Sequence, residues 1–216
     1  MIILGLTGSI GMGKSTAARM LRRFGVPVHD ADRVVHGLLA KGGAAVAAVE
    51  AAFGPEVIRN GAVDRPKLGA KVFGNRAALT RLEAILHPLV RRAERRFLAL
   101  AAARRAKVVV LDIPLLFETG GQRRVDATLV VTAPAFIQRI RVLARPGMSA
   151  EKLAAILQRQ TPDAEKRRRA DFLVQTGLGK GPALRRLKRI VTIARARPGR
   201  RWPPRRPPPF AGTDHA

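Results

Sequence analysis

Apolar residues along the chain gather into five short runs, each bounded by polar or turn-forming residues. The first is Ile2-Ile3-Leu4-Gly5-Leu6, and the second lies within Gly25–Asp32 around Val26-Pro27-Val28. Val108-Val109-Val110-Leu111, Ala127-Thr128-Leu129-Val130-Val131 and Phe172-Leu173-Val174 complete the set. Runs of this length without strict alternation mark strands buried on both faces, as in a parallel sheet covered by helices. The connecting segments change period. Ala17–Phe24 spaces its apolar residues three to four apart, and a helix follows Pro134. Ser149 caps another that runs to Gln160, and the last spans roughly 182–196 through Leu184, Leu187, Ile190, Val191 and Ile193. The pattern predicts an α/β fold with a five-stranded parallel sheet flanked by helices.

Residues 42–107 break the alternation, because they read as almost purely helical with no convincing strand. Gly54-Pro55 interrupts the Ala-rich segment 44–53, Asn60-Gly61 is a turn signal, and Asp64 caps a helix with Pro66 near its start. A longer helical pattern from Asn75 passes Leu79, Leu82 and Leu86, and His87-Pro88 predicts a bend before it resumes through Leu89, Val90, Phe97 and Leu100. A block this long exceeds a simple crossover and predicts an inserted substrate-binding unit. The expected organisation is a core from 1–40 and 106–195, a helical insertion over 41–105, and a lid at about 135–165. A disordered extended tail over 197–216 is expected from its Pro/Arg content.

Between the first run and the first helix stands Gly8-Ser9-Ile10-Gly11-Met12-Gly13-Lys14-Ser15-Thr16, the full phosphate-loop pattern in its proper strand–loop–helix setting. Its glycines let backbone N–H groups converge on phosphate oxygens, and the following helix turns its positive end to the same point. Gly11, Met12, Gly13, Lys14, Ser15 and Thr16 are the expected binding residues for a di- or triphosphate. Lys14 is expected at the β- and γ-phosphates and the Ser15 hydroxyl on Mg²⁺.

Carboxylates at the carboxyl ends of the second and third runs supply the remaining chemistry, since ligands bind outside those ends in an open α/β sheet. Asp30 and Asp32 are each candidates to take a proton from an acceptor hydroxyl or to hold a metal's water shell, and each is also a natural helix cap. Of the two, Asp32 is the favoured functional residue. Asp112, closing the third run, is placed for Mg²⁺, with a turn or cap residue as its plainer alternative. His87 at a bend is as compatible with packing or capping as with binding. Arg139, Arg141 and Arg145 lie on the lid's first helix, where an arginine can close over a transferring phosphoryl group or simply face solvent.

Composition alters this picture in one respect. The chain of 216 residues carries 41 Lys and Arg against 15 Asp and Glu, a net charge of +26. That balance suggests a polyanionic partner or a solvated basic surface, but aromatics are only 4% and no nucleic-acid-binding signature is present, so no specific nucleic-acid partner is expected. The chain has no cysteine, which excludes disulfides and fits a reducing compartment. Neither a secretory leader nor a bilayer-spanning apolar stretch is evident, and a cytoplasmic monomer without membrane contact is expected.

Taken together, the motifs resemble those of the dephospho-coenzyme A kinase family across roughly residues 2–195. The resemblance rests on the phosphate loop, Asp30-Ala31-Asp32, Val63-Asp64-Arg65, His87-Pro88-Leu89-Val90 and above all Asp112-Ile113-Pro114-Leu115-Leu116-Phe117-Glu118. Arg141, Arg145, Gln160-Thr161-Pro162, Lys166 and Ala170-Asp171 extend it. It implies a P-loop NTPase-type core with a helical coenzyme-binding insertion and a lid. It further implies ATP, held by Gly11 to Thr16, and Mg²⁺ as cofactors and dephospho-coenzyme A as acceptor, phosphorylated at its ribose 3′-hydroxyl in the last step of coenzyme A synthesis. By that resemblance Asp32 is the base, Arg145 the lid arginine, and Arg65 and His87 face the coenzyme. The chain departs from the family pattern at Gln175-Thr176, where Asp-Asn is common, and at Pro146, where an Asp commonly follows the lid arginine.

Overall fold

The computed structural model describes residues 1–203. These form two compact units, one from Met1–Val28 together with the chain from Arg104 onward, the other from His29–Ala103. The expected tail falls largely outside the described residues.

The first unit is built on a sheet. Its strands are β1 (Ile2–Thr7), β2 (Val28–Asp30, in which the chain passes into the second unit), β5 (Val108–Asp112), β6 (Ala127–Thr132) and β7 (Phe172–Gln175). Their order is β2-β5-β1-β6-β7, a parallel sheet with β1 at its centre. Ile2 lies opposite Val108 and Leu6 opposite Asp112 in one pairing, and Leu4 opposite Ala127 in the other. Every residue of β1, β5 and β6 is buried, as their unbroken apolar character requires. Helices cover the sheet. α1 (Lys14–Arg23) and α9 (Lys180–Arg195) bury Ala17, Ala18, Met20 and Leu21 of the one, and Leu187, Ile190, Val191 and Ala194 of the other, in a single core with Leu4, Leu6, Val110 and Leu129. α6 (Ala135–Leu143), α7 (Ala150–Gln158) and α8 (Asp163–Arg168) complete this unit. Ser149 caps α7 through its hydroxyl, which accepts the Lys152 N–H.

The second unit holds α2 (Ala31–Leu39), α3 (Val46–Phe53), α4 (Arg65–Val72) and α5 (Arg76–Ala103) around Leu39, Val49, Phe53, Val57, Val63 and Leu68. One expectation is corrected here. Residues 42–107 are not purely helical, because β3 (Ile58–Arg59) and β4 (Ala62–Val63) pair antiparallel as a hairpin. Its turn places Asn60 at φ 52° and Gly61 at φ 75°, the doubly left-handed geometry that Asn-Gly favours. α5 runs through Pro88 for 28 residues, in keeping with the expected resumption of the helical pattern beyond His87-Pro88. Proline removes one hydrogen bond to Ala84, but Leu82, Ile85, Leu86 and Leu89 pack against the same core on both sides of it and hold the helix in register. The cap at Asp64 is as expected, its carboxylate accepting the Lys67 N–H at 3.1 Å.

Candidate active site

β1 delivers the chain to a loop whose shape depends on two glycines in particular. A Cβ on Gly8 would meet Val131 of β6 at 2.5 Å, so only glycine lets the loop lie against that strand. Gly13 caps α1 at φ 87°, a left-handed conformation that costs other residues strain. Lys14 and Ser15 then open α1, where the helix's free N–H groups and positive dipole end concentrate. Three expected site residues converge here. Asp112, 3% exposed at the end of β5, takes the Lys14 ammonium at 2.5 Å, so the loop lysine is held by a carboxylate across 98 residues of sequence. Ser15 stands exposed one residue further along α1. Met12 is buried, its sulfur facing the Ala133 N–H at 3.0 Å, and so holds the loop by packing from beneath.

The loop is braced by residues whose importance no local pattern announces. The Ile10 peptide is gripped at both ends: Gln138 Nε2 donates to its carbonyl at 2.8 Å, and its N–H donates to Gln160 Oε1 at 3.1 Å. Arg141 donates to the Gly11 carbonyl at 3.4 Å and to Thr176 at both Oγ1, 3.0 Å, and carbonyl, 2.8 Å. Thr176 Oγ1 in turn donates to the Met12 carbonyl at 2.8 Å. Arg141 is therefore a support of the phosphate loop, whereas the lid reading treats it as interchangeable with Arg139 and Arg145. Arg145 itself is exposed, just past the end of α6 in the turn leading to Ser149.

A second ion pair fixes the start of α8. Lys166, fully buried, lies 2.9 Å from Glu118 Oε1, which also accepts the Thr161 N–H at 2.8 Å. Burial pushes the Glu118 carboxyl up, but the Lys166 ammonium and the backbone N–H groups outweigh it and hold the carboxyl below its ordinary value. The residues that follow Asp112 thus anchor the turn carrying Gln160, which reaches the loop.

In the second unit, Asp30 caps α2, its Oδ1 accepting the Arg33 N–H at 3.0 Å. Asp32 lies exposed in the first turn of that helix. Arg65 is the first residue of α4, beside its Asp64 cap, and His87 is exposed on α5. Neighbouring His29 is buried at 6%, with its ring 5.1 Å from Phe97. Burial pulls its pKa down, partly opposed by Glu94 and Asp30. Among the described residues no helix is long and apolar enough to cross a membrane.

Comparison with known proteins follows the same residues. The family model described as dephospho-CoA kinase matches residues 2–179. The dephospho-CoA kinase of Paramagnetospirillum magneticum is 67% identical over 195 residues, which is 90% of this chain and 92% of that protein. That of Rhodospirillum rubrum is 61% identical over 202 residues, 93% of this chain and 95% of that protein. A crystal structure from Thermus thermophilus superposes with a TM-score of 0.75 at 39% identity, covering 89% of this chain and 96% of its own. With family model, relatives and loop in agreement over nearly its whole described length, the chain belongs to the dephospho-CoA kinase family.

Proposed function

We propose that the chain transfers the γ-phosphoryl group of ATP to the ribose 3′-hydroxyl of dephospho-coenzyme A, giving coenzyme A and ADP. The observation that carries the donor half is the loop from Gly8 to Thr16 with Lys14 against Asp112. Nucleotide phosphates entering at the N-terminus of α1 compete with Asp112 for the Lys14 ammonium and draw it to the β- and γ-oxygens. Loop N–H groups and Lys14 then offset charge that builds on the phosphoryl oxygens as the bond to the β-phosphate breaks.

Asp32 takes the proton of the acceptor hydroxyl as its oxygen bonds to phosphorus and ADP leaves. Arg145, carried on the α6–α7 turn, covers the transferring group, and Arg65 and His87 hold the coenzyme. The gain comes mainly from orientation and fixed charge. Mg²⁺ fits the donor set: the Ser15 hydroxyl and the Asp112 carboxylate are hard oxygen ligands. Among the described residues no cluster of three or more His, Cys, Asp or Glu exists, as suits an ion held by one or two protein oxygens and the nucleotide. Bound there, it would neutralise charge between the β- and γ-phosphates. The enzyme works as a cytoplasmic monomer, a state that gel filtration checks.

The test is incubation with MgATP and dephospho-coenzyme A, followed by mass analysis for one added phosphoryl group on the coenzyme. Phosphorylation of adenosine or a nucleotide in its place overturns the acceptor assignment. Asp32→Asn is expected to lower turnover by roughly 10²- to 10⁴-fold with ATP affinity unchanged. Loss of ATP binding in that variant would assign Asp32 to metal or structure.

A further inference from the structure

The kinase reaction uses little of the chain's charge, and the largest unabsorbed concentration lies in the helical layer formed by α1 and α9. Neither helix contains a single Asp or Glu, and neither contains an aromatic residue. Their apolar residues enter one shared core, and Arg195 Nη2 donates to the Phe24 carbonyl at 3.3 Å, joining the carboxyl end of α9 to that of α1. What remains outward is mainly basic, with Leu184 the large apolar residue left exposed on α9. Arg185, Lys188, Arg189 and Arg195 follow one another at helical spacing, and Arg19 and Arg23 stand on α1, all of them exposed.

We infer that this two-helix face is a docking surface for the phosphate backbone of double-helical nucleic acid, bound without sequence preference. A 16-residue helix is about 24 Å long, and duplex DNA presents a charge roughly every 1.7 Å of its axis, so a stripe of this length meets several phosphates at once. Charge complementarity selects a polyanion. The absence of aromatics on both helices removes the stacking platform that single strands require, which favours a duplex. A membrane is disfavoured because the apolar face of α9, with Leu187, Ile190, Val191 and Ala194, is already spent in the core and has nothing to insert. Neither helix carries the Asn, Gln, Asp or Glu that reads adenine or cytosine edges, and a basic face of this kind is satisfied by phosphates of any sequence.

The experiment is anisotropy of a labelled random-sequence duplex DNA with the full chain, titrated with KCl. Six phosphate contacts predict a slope of about −5 in log affinity against log salt. The triple variant Arg185→Gln, Lys188→Gln, Arg189→Gln is expected to reduce that slope by about 3 while kinase turnover stays at the wild-type rate. A matched triple on α5, Arg92→Gln, Arg95→Gln, Arg96→Gln, is expected to leave the slope in place. The proposal is overturned if the α5 triple, or removal of residues 204–216, costs as much as the α9 triple, since binding then reflects diffuse charge or the terminal segment. Tighter binding of single-stranded DNA, or retention by anionic phosphatidylglycerol vesicles with no duplex binding, overturns it as well.

Discussion

Lys14 and Asp112 show how one contact serves two states. Their ion pair at 2.5 Å leaves the Lys14 side chain 17% exposed and held in place, so in the proposed reaction little side-chain ordering remains to be done when nucleotide arrives. Lys14→Met removes the positive charge and leaves Asp112 without it, and kcat is expected to fall roughly 10²-fold or more, read in a coupled ADP assay. Gln160 acts one step removed, through the Ile10 N–H. Gln160→Leu is expected to raise the KM for ATP and lower kcat/KM roughly tenfold, an effect worth about 1.4 kcal/mol, while Gln160→Glu, which keeps an acceptor, recovers part of it. His29 gives a pH signature. Its folded pKa is depressed below 6.5 by burial, so the unfolded chain binds the proton more readily, and stability falls as pH drops through about 6.5 towards the folded value. Thermal melting from pH 8 to 5 reads this, and His29→Phe is expected to flatten that part of the profile.

At the level of elements, the sheet was legible because its three central strands are buried throughout and leave apolar runs, with shorter runs at the edge strands β2 and β7, and capping residues such as Asp64 and Ser149 act on neighbours three residues away. The hairpin over Ile58–Val63 was not, because strands of two residues are too short for any period to register. Only Asn60-Gly61 signalled it. Gly61→Val places a β-branched residue at φ 75° and is expected to cost about 1 kcal/mol or more by urea unfolding. Pro88 sits within α5 because packing on both sides of it holds the helix together, in keeping with the resumption of the apolar pattern at Leu89. The bracing of the phosphate loop was not legible, although the resemblance singles out Arg141 and Gln160, since Gln138, Arg141 and Gln160 reach their partners across 128, 130 and 150 residues of sequence. No spacing rule spans such distances.

For the whole molecule, the position of β1 has a consequence for how the protein is made. Of the five strands of the sheet, the one synthesised before the others is the central one, and it is buried throughout. Its two neighbours, β5 and β6, begin at residues 108 and 127, so on synthesis it waits unpaired for about a hundred residues. The second unit, His29–Ala103, is one continuous segment that emerges whole in that interval and can organise first. Pulse-labelled hydrogen exchange during refolding should therefore find amides of α4 and α5 protected before those of Ile3 to Leu6, and the latter protected together with Val109 to Leu111. Until then Ile2-Ile3-Leu4 is an exposed, aggregation-prone edge, and a nascent chain stalled before Val108 is the species that a chaperone would have to shield.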